Sequence, residues 1–297
     1  MFDIYGDFTE IDDYAKIGDD AIIGKYAEIG DYAEIGYGVR IGKCVEIGDD
    51  AKIGDNAIIG KCVEIGDSAE IGYGVRIDSS AKIGEYARMG KYVVIGDSAE
   101  IGDSVEIGDY VKIGDNARMG KCAEIGDNAI IGKCVRIDSS AEIGDYAEIG
   151  DYARIGDSAD ICDNAIIGDS AEIGDGVRIG KYAEIGDYAR IGDSVEIGDG
   201  VKIGDGARFG AKFRCEGLEV IDFFTMSNVD GTGRRIHIYV HTKGITIIAG
   251  CFIGALDEFC MNAEDEGKYL YATTVRAAAE AFAAEIQRQG KTGGWDK

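Results

Sequence analysis

The chain has no proline, a single tryptophan and only two histidines in 297 residues. Without proline, and with 46 glycines, it does not read as a loop-rich enzyme. It reads as a regular backbone that turns tightly at fixed intervals. Cations are scarce: 31 Lys and Arg stand against 56 Asp and Glu, a formal charge of −25. That balance excludes direct nucleic-acid binding through phosphates and docking to an anionic membrane, since both need basic surface. No long apolar run and no basic N-terminal region occur, so neither a membrane span nor a signal peptide is expected. The expected address is cytoplasmic. The eight cysteines form no CxxC pair and read as free thiols of a reducing compartment.

What is present in abundance is one repeat. From Ile11 to Phe209 an apolar residue, nearly always followed by Gly, recurs at every sixth position without a slip. Ile29-Gly30-Asp31-Tyr32-Ala33-Glu34 is representative. Small residue, charged residue and Ile alternate in, out, in, the mark of a short half-buried strand, and Gly with its two polar followers reads as the turn. So short a strand cannot bury its apolar side alone. Stacked coils line up Ile on Ile and Ala or Val on Ala or Val. The expected product is a mainly β parallel solenoid.

The pattern resembles the hexapeptide-repeat family. That resemblance implies a left-handed parallel β-helix of three flat sides, one hexad per side and eighteen residues per coil. On that geometry residues 11–210 make about eleven coils, roughly 50 Å long at about 4.8 Å per step. Residues 1–10 read as an N-terminal capping repeat, with Phe2, Ile4 and Phe8 adding bulk. Met89, Met119 and Phe209 replace Ile, while Asp78, Asp138 and Cys162 replace Gly. These departures read as tolerated variants, with Asp the next best residue in the turn.

Residues 211–297 abandon the period and read as a small α+β capping or interaction module. Arg234 to His241 alternates as a strand, Gly244 to Gly250 forms a second, and Thr242-Lys243 joins them as a hairpin. Leu256, Phe259 and Cys260 suggest a short amphipathic helix; Tyr271, Val275, Ala278, Phe282 and Ile286 keep helical spacing. The run Gly250 to Phe259 resembles the tails of uncharacterised bacterial and phage hexapeptide-repeat proteins.

Hexapeptide acyltransferases use a histidine of the coils as general base and hold acyl-coenzyme A between subunits, often beside a protruding loop. Here residues 1–236 contain no His and the register leaves no inserted loop, so the base is missing where the resemblance puts it. His237 and His241 share one strand face with Tyr239. With Cys251 or Cys260 they are weak candidates for a metal; the expectation is a solvent-facing or capping surface, with no metal and no cofactor.

The outward slot carries one more signal. Ile22, Ile58, Val94, Ile130 and Ile166 occupy it at intervals of thirty-six residues, with Arg40, Arg76 and Lys112 between. An apolar stripe on alternate coils of one side is unlike a solvated face. It predicts self-association, and the resemblance makes a homotrimer the specific form. The sequence is thus expected to encode a non-enzymatic scaffold or binding protein, able to meet a further protein partner. An acyltransferase and an acidic decoy that mimics nucleic acid are the alternatives.

Overall fold

A computed structural model describes residues 4–5, 8–209, 214–215, 219–227, 229, 235–241, 243–249 and 252–289. Phe2, Arg234, Thr242, Gly250 and Cys251, used in the sequence reading, lie outside them. Each hexad folds into a two-residue strand made of the charged slot and the Ile, as at Glu28–Ile29 and Glu34–Ile35. Every strand pairs in parallel with the one eighteen residues on, so that Ile58 faces Arg76 and Ile59 faces Ile77. The ladders build three flat sides, here named by a residue of each. The Glu28 and Glu34 sides have twelve strands apiece, and the Ile22 side continues into a sheet of sixteen. The coil is the left-handed parallel β-solenoid of the hexapeptide repeat.

The core is a column of Ile and of Ala or Val stacked coil over coil, all but closed to solvent from Ala21 to Ala207. Burying each Ile contributes about 1.5–3 kcal/mol. The sum over the column offsets the entropy of ordering so regular a backbone. Met89 and Met119 enter it at 5% and 4% exposure, as an unbranched thioether filling an Ile space should.

The turn differs from its sequence reading. Glycine is not the residue in the left-handed region; that residue lies two positions on, where Tyr32 has φ 58° and Cys44 φ 54°. Its N–H is held by the neighbouring coil, as Tyr32 N donates to Asp13 O at 3.1 Å. Glycine is selected by coil spacing instead. A Cβ built on Gly30 would lie 2.8 Å from the backbone nitrogen of Asp49.

Beyond the coils, β1 (Glu219–Ser227), β2 (Arg235–His241), β3 (Gly244–Ala249) and β4 (Phe252–Ala255) extend the Ile22 side as an antiparallel meander. β1 joins it by pairing Val220 with Ile203 of the last coils. Helices α1 (Leu256–Asp265) and α2 (Tyr269–Arg288) cover one face of the meander, with Ile236, Ile238 and Ile247 packed under Leu256, Phe259 and Val275. Tyr239 and Ile248 belong instead to the coil core. The module therefore caps the open end of the solenoid.

Candidate functional site

Two runs of carboxylates occupy outward slots: Glu10, Glu28, Glu46 and Glu64 on the Glu28 side, and one on the Glu34 side that also holds a cysteine in a glycine slot. Glu106, Glu124, Glu142 and Asp160 follow one another in register on successive coils, about 4.8 Å apart. They line a groove of about 550 Å³. Cations close both ends of the run: Arg88 Nη1 lies 3.4 Å from Glu106, and Arg178 Nε donates to Asp160 at 3.2 Å. Cys162, standing in a glycine slot, opens onto the groove and donates its thiol to Asp160 Oδ1 at 3.6 Å. Burial and the Asp160 carboxylate push that thiol up to about 11, so at neutral pH it is protonated and no nucleophile. Lys181 completes the rim; its ammonium lies 2.7 Å from Asp163 and holds that carboxyl below the usual carboxylate range.

This run was legible but not read. The spacing of eighteen that unites Glu106 with Lys16 also unites it with Glu124, Glu142 and Asp160.

The two histidines do not join this groove. They lie on β2, in the module. His241 is 9% exposed; its Nδ1 accepts the N–H of Lys243 at 3.2 Å and its Nε2 lies 3.0 Å from Thr246 Oγ1. Burial first, and the Lys243 charge second, lower its pKa, keeping the ring neutral. Both nitrogens are thereby engaged. His237 stacks beside Tyr239 at 6.4 Å, on the face that closes the coil. Cys260 is in α1, bonded to Ala272 O, and among the described residues no cluster of three or more His, Cys, Asp or Glu is placed to hold a metal. The stripe residues all lie on the Ile22 side, with Ile22, Ile58, Ile130 and Ile166 at 38–45% exposure and Val94 half-buried. Asp78 and Asp138 have a local use: each accepts the Nε–H of the arginine two residues before it, at 2.9 and 2.7 Å. Among the described residues no helix is long and apolar enough to cross a membrane.

Two family models match the chain. That of the GMPPB C-terminal domain matches residues 6–89 and again 92–182, and that of the bacterial transferase hexapeptide matches residues 170–211. No curated protein matches. Among solved structures, a putative acetyltransferase of Bacillus cereus is 22% identical over 40% of this chain and 78% of its own, with a TM-score of 0.33. The UDP-N-acetylglucosamine acyltransferase of Campylobacter jejuni is 19% identical over 67% of each chain, with a TM-score of 0.30. That of Francisella novicida is 24% identical over 67% of this chain and 66% of its own, with a TM-score of 0.31.

These findings overturn the expectation of a non-enzymatic scaffold. Residues 170–211 match the model of the bacterial transferase hexapeptide, so the leaning away from an enzyme loses its ground. The physical error was to equate a missing histidine with a missing base. A carboxylate can take a proton as well, and a column of them lines the groove.

Proposed function

The chain belongs to the family of the GMPPB C-terminal domain, with the hexapeptide repeat of bacterial transferases, and from this we propose that it is a hexapeptide-class acyltransferase. It moves an acyl group from a coenzyme A thioester to a hydroxyl or amine acceptor. The observation that carries the reading is the transferase hexapeptide match at residues 170–211. The carboxylate groove of the Glu34 side supports it, because it stacks proton acceptors on one open surface beside a protonated Cys162.

In this reading Glu124 or Glu142 takes the acceptor proton as the acceptor attacks the thioester carbonyl, and the departing sulfur leaves as the thiol of coenzyme A. Arg88 and Arg178 hold Glu106 and Asp160 at the two ends of the run. Cys162, protonated, forms no acyl intermediate, so transfer is direct.

Calorimetric titration with acetyl-coenzyme A tests the proposal. Saturable binding is expected. Glu124→Gln with Glu142→Gln should keep that binding and lower acyl transfer to an amine acceptor by 10²-fold or more, about the worth of a general base. No binding at millimolar ligand would dispose of the reading.

A further inference from the structure

The outward slot of the Ile22 side is ordered in two ways at once. Ile22, Ile58, Val94, Ile130 and Ile166 take alternate coils, which spaces them about 9.6 Å apart, twice the strand step. The coils between are basic in the first half of the rod, at Arg40, Arg76 and Lys112, and acidic in the second half, at Glu148 and Glu184. The other two sides show no such alternation of apolar and charged coils.

We propose that this side is the contact between two copies of the chain, antiparallel and related by a two-fold axis at Lys112. That axis sets Val94 opposite Ile130 of the second copy, Arg76 opposite Glu148, Ile58 opposite Ile166, and Arg40 opposite Glu184. From Arg40 to Glu184 apolar coils meet apolar coils and cations meet carboxylates, each pair occurring twice by symmetry. Lys112 meets its own kind at the axis, and at the outer ends Ile22 lies opposite Lys202 of the second copy, whose charge Glu184 holds on its own chain at 3.1 Å. A parallel pair in register would set Arg40 on Arg40 and Glu148 on Glu148. Sliding the antiparallel pair by one coil would press each isoleucine against a charge. Sliding it by two coils sets Arg76 on Lys112 in one direction, and in the other shortens the matched run by bringing Ile58 against Lys202.

Such complementarity has work to do, because a chain of net charge −25 repels its copies unless the contact itself is balanced. The groups on the chain leave room for it. Arg76 leans on Asp78 and Glu184 holds Lys202 at 3.1 Å, yet Arg40, Arg76, Lys112 and Glu148 are all exposed. A stripe that matches its own copy is isologous, whereas a three-fold ring brings two different surfaces together. The side therefore fits a two-fold dimer better than the homotrimer implied by resemblance. This inference does not rest on the acyltransferase reading.

Sedimentation equilibrium at physiological salt tests it. The wild type is expected at twice 31.6 kDa. Arg76→Glu alone and Glu148→Arg alone should each weaken the dimer by roughly tenfold or more, as close charge pairs at interfaces do. The double variant should return it to within about threefold of wild type, because the two residues face each other only in the antiparallel register. Both positions are exposed, and an unchanged thermal transition in each variant excludes misfolding as the cause. A wild type that sediments as monomer or trimer overturns the proposal. So does a double variant no tighter than the single ones.

Discussion

A Cβ on Gly108 would meet the side chain of Asp127, its backbone nitrogen at 2.7 Å and the carbonyl carbon of Gly126 at 2.9 Å. The backbone of the next coil cannot retreat without lengthening its ladder. Gly108→Ala is therefore expected to destabilise by about 1–3 kcal/mol, the usual cost of overpacking. Gly204→Ala, with nothing within 4 Å of the added carbon, should be neutral or stabilising by up to about 1 kcal/mol. Urea midpoints of the two variants check the contrast; equal losses would mean that coil spacing does not select the glycine. The importance of the slot was legible from its regularity, but the reason was not. Sequence cannot separate a glycine needed for φ from one needed for close approach. The residues that do carry positive φ are mostly Tyr, Ser, Asn and Cys, which composition gives no cause to suspect. The turn aspartates are similar. Asp127 Oδ1 accepts the N–H of Asp109 at 2.7 Å, and Asp145 Oδ1 that of Asp127 at 2.7 Å. Much of the acidic excess thus brackets one coil to the next, a use visible only once the coils are stacked.

At the scale of elements, the β2–β3 hairpin and both helices were legible because their patterns are clean: Ile236, Ile238 and Val240 alternate, and Tyr271, Val275 and Ile286 share a buried stripe. β1 was missed. Its pairing with β2 shifts register between Val220 and Asp222, and a bulge breaks the two-residue alternation that a strand reading depends on. Yet β1 ties the module to the solenoid. The hairpin it supports carries a pH dependence. Burial lowers the pKa of His241 in the folded state, while the unfolded chain takes up that proton near pH 6.5. The unfolded state then binds more protons, so the contribution of this residue is complete above about pH 6.5 and is lost as pH falls towards the folded value. Amide exchange in β2 and β3 should accordingly quicken at pH 5.5 relative to pH 7.5, after correction for the intrinsic rate. His241→Gln should remove that difference. An unaltered pH response in the variant would assign it to other groups.

On the scale of the whole molecule, the register, the core column and a capping module over the C-terminal end were readable from the sequence, while the residue that seals the rod was not. Tyr239 sits on a face expected to be either solvent-facing or capping, and it is the second: it is 1% exposed and packs in the cluster that contains Ile203 and Ala207. A residue that plugs a solenoid end is specified by what lies across from it, and nothing in the local pattern names that partner. Each coil touches only its neighbours, so stability in such a rod is a sum of local terms and damage should stay local. Tyr239→Ala removes a large buried ring and should cost about 3–5 kcal/mol, borne by the module and the adjoining coils. Hydrogen exchange resolved along the chain should rise around Ile197 and Ile203 and stay unchanged around Ile59 and Ile65. The thermal transition should split, with the end of the rod melting before its middle. A uniform rise along all coils would mean that the rod unfolds as one cooperative unit and that the cap sets the stability of the whole.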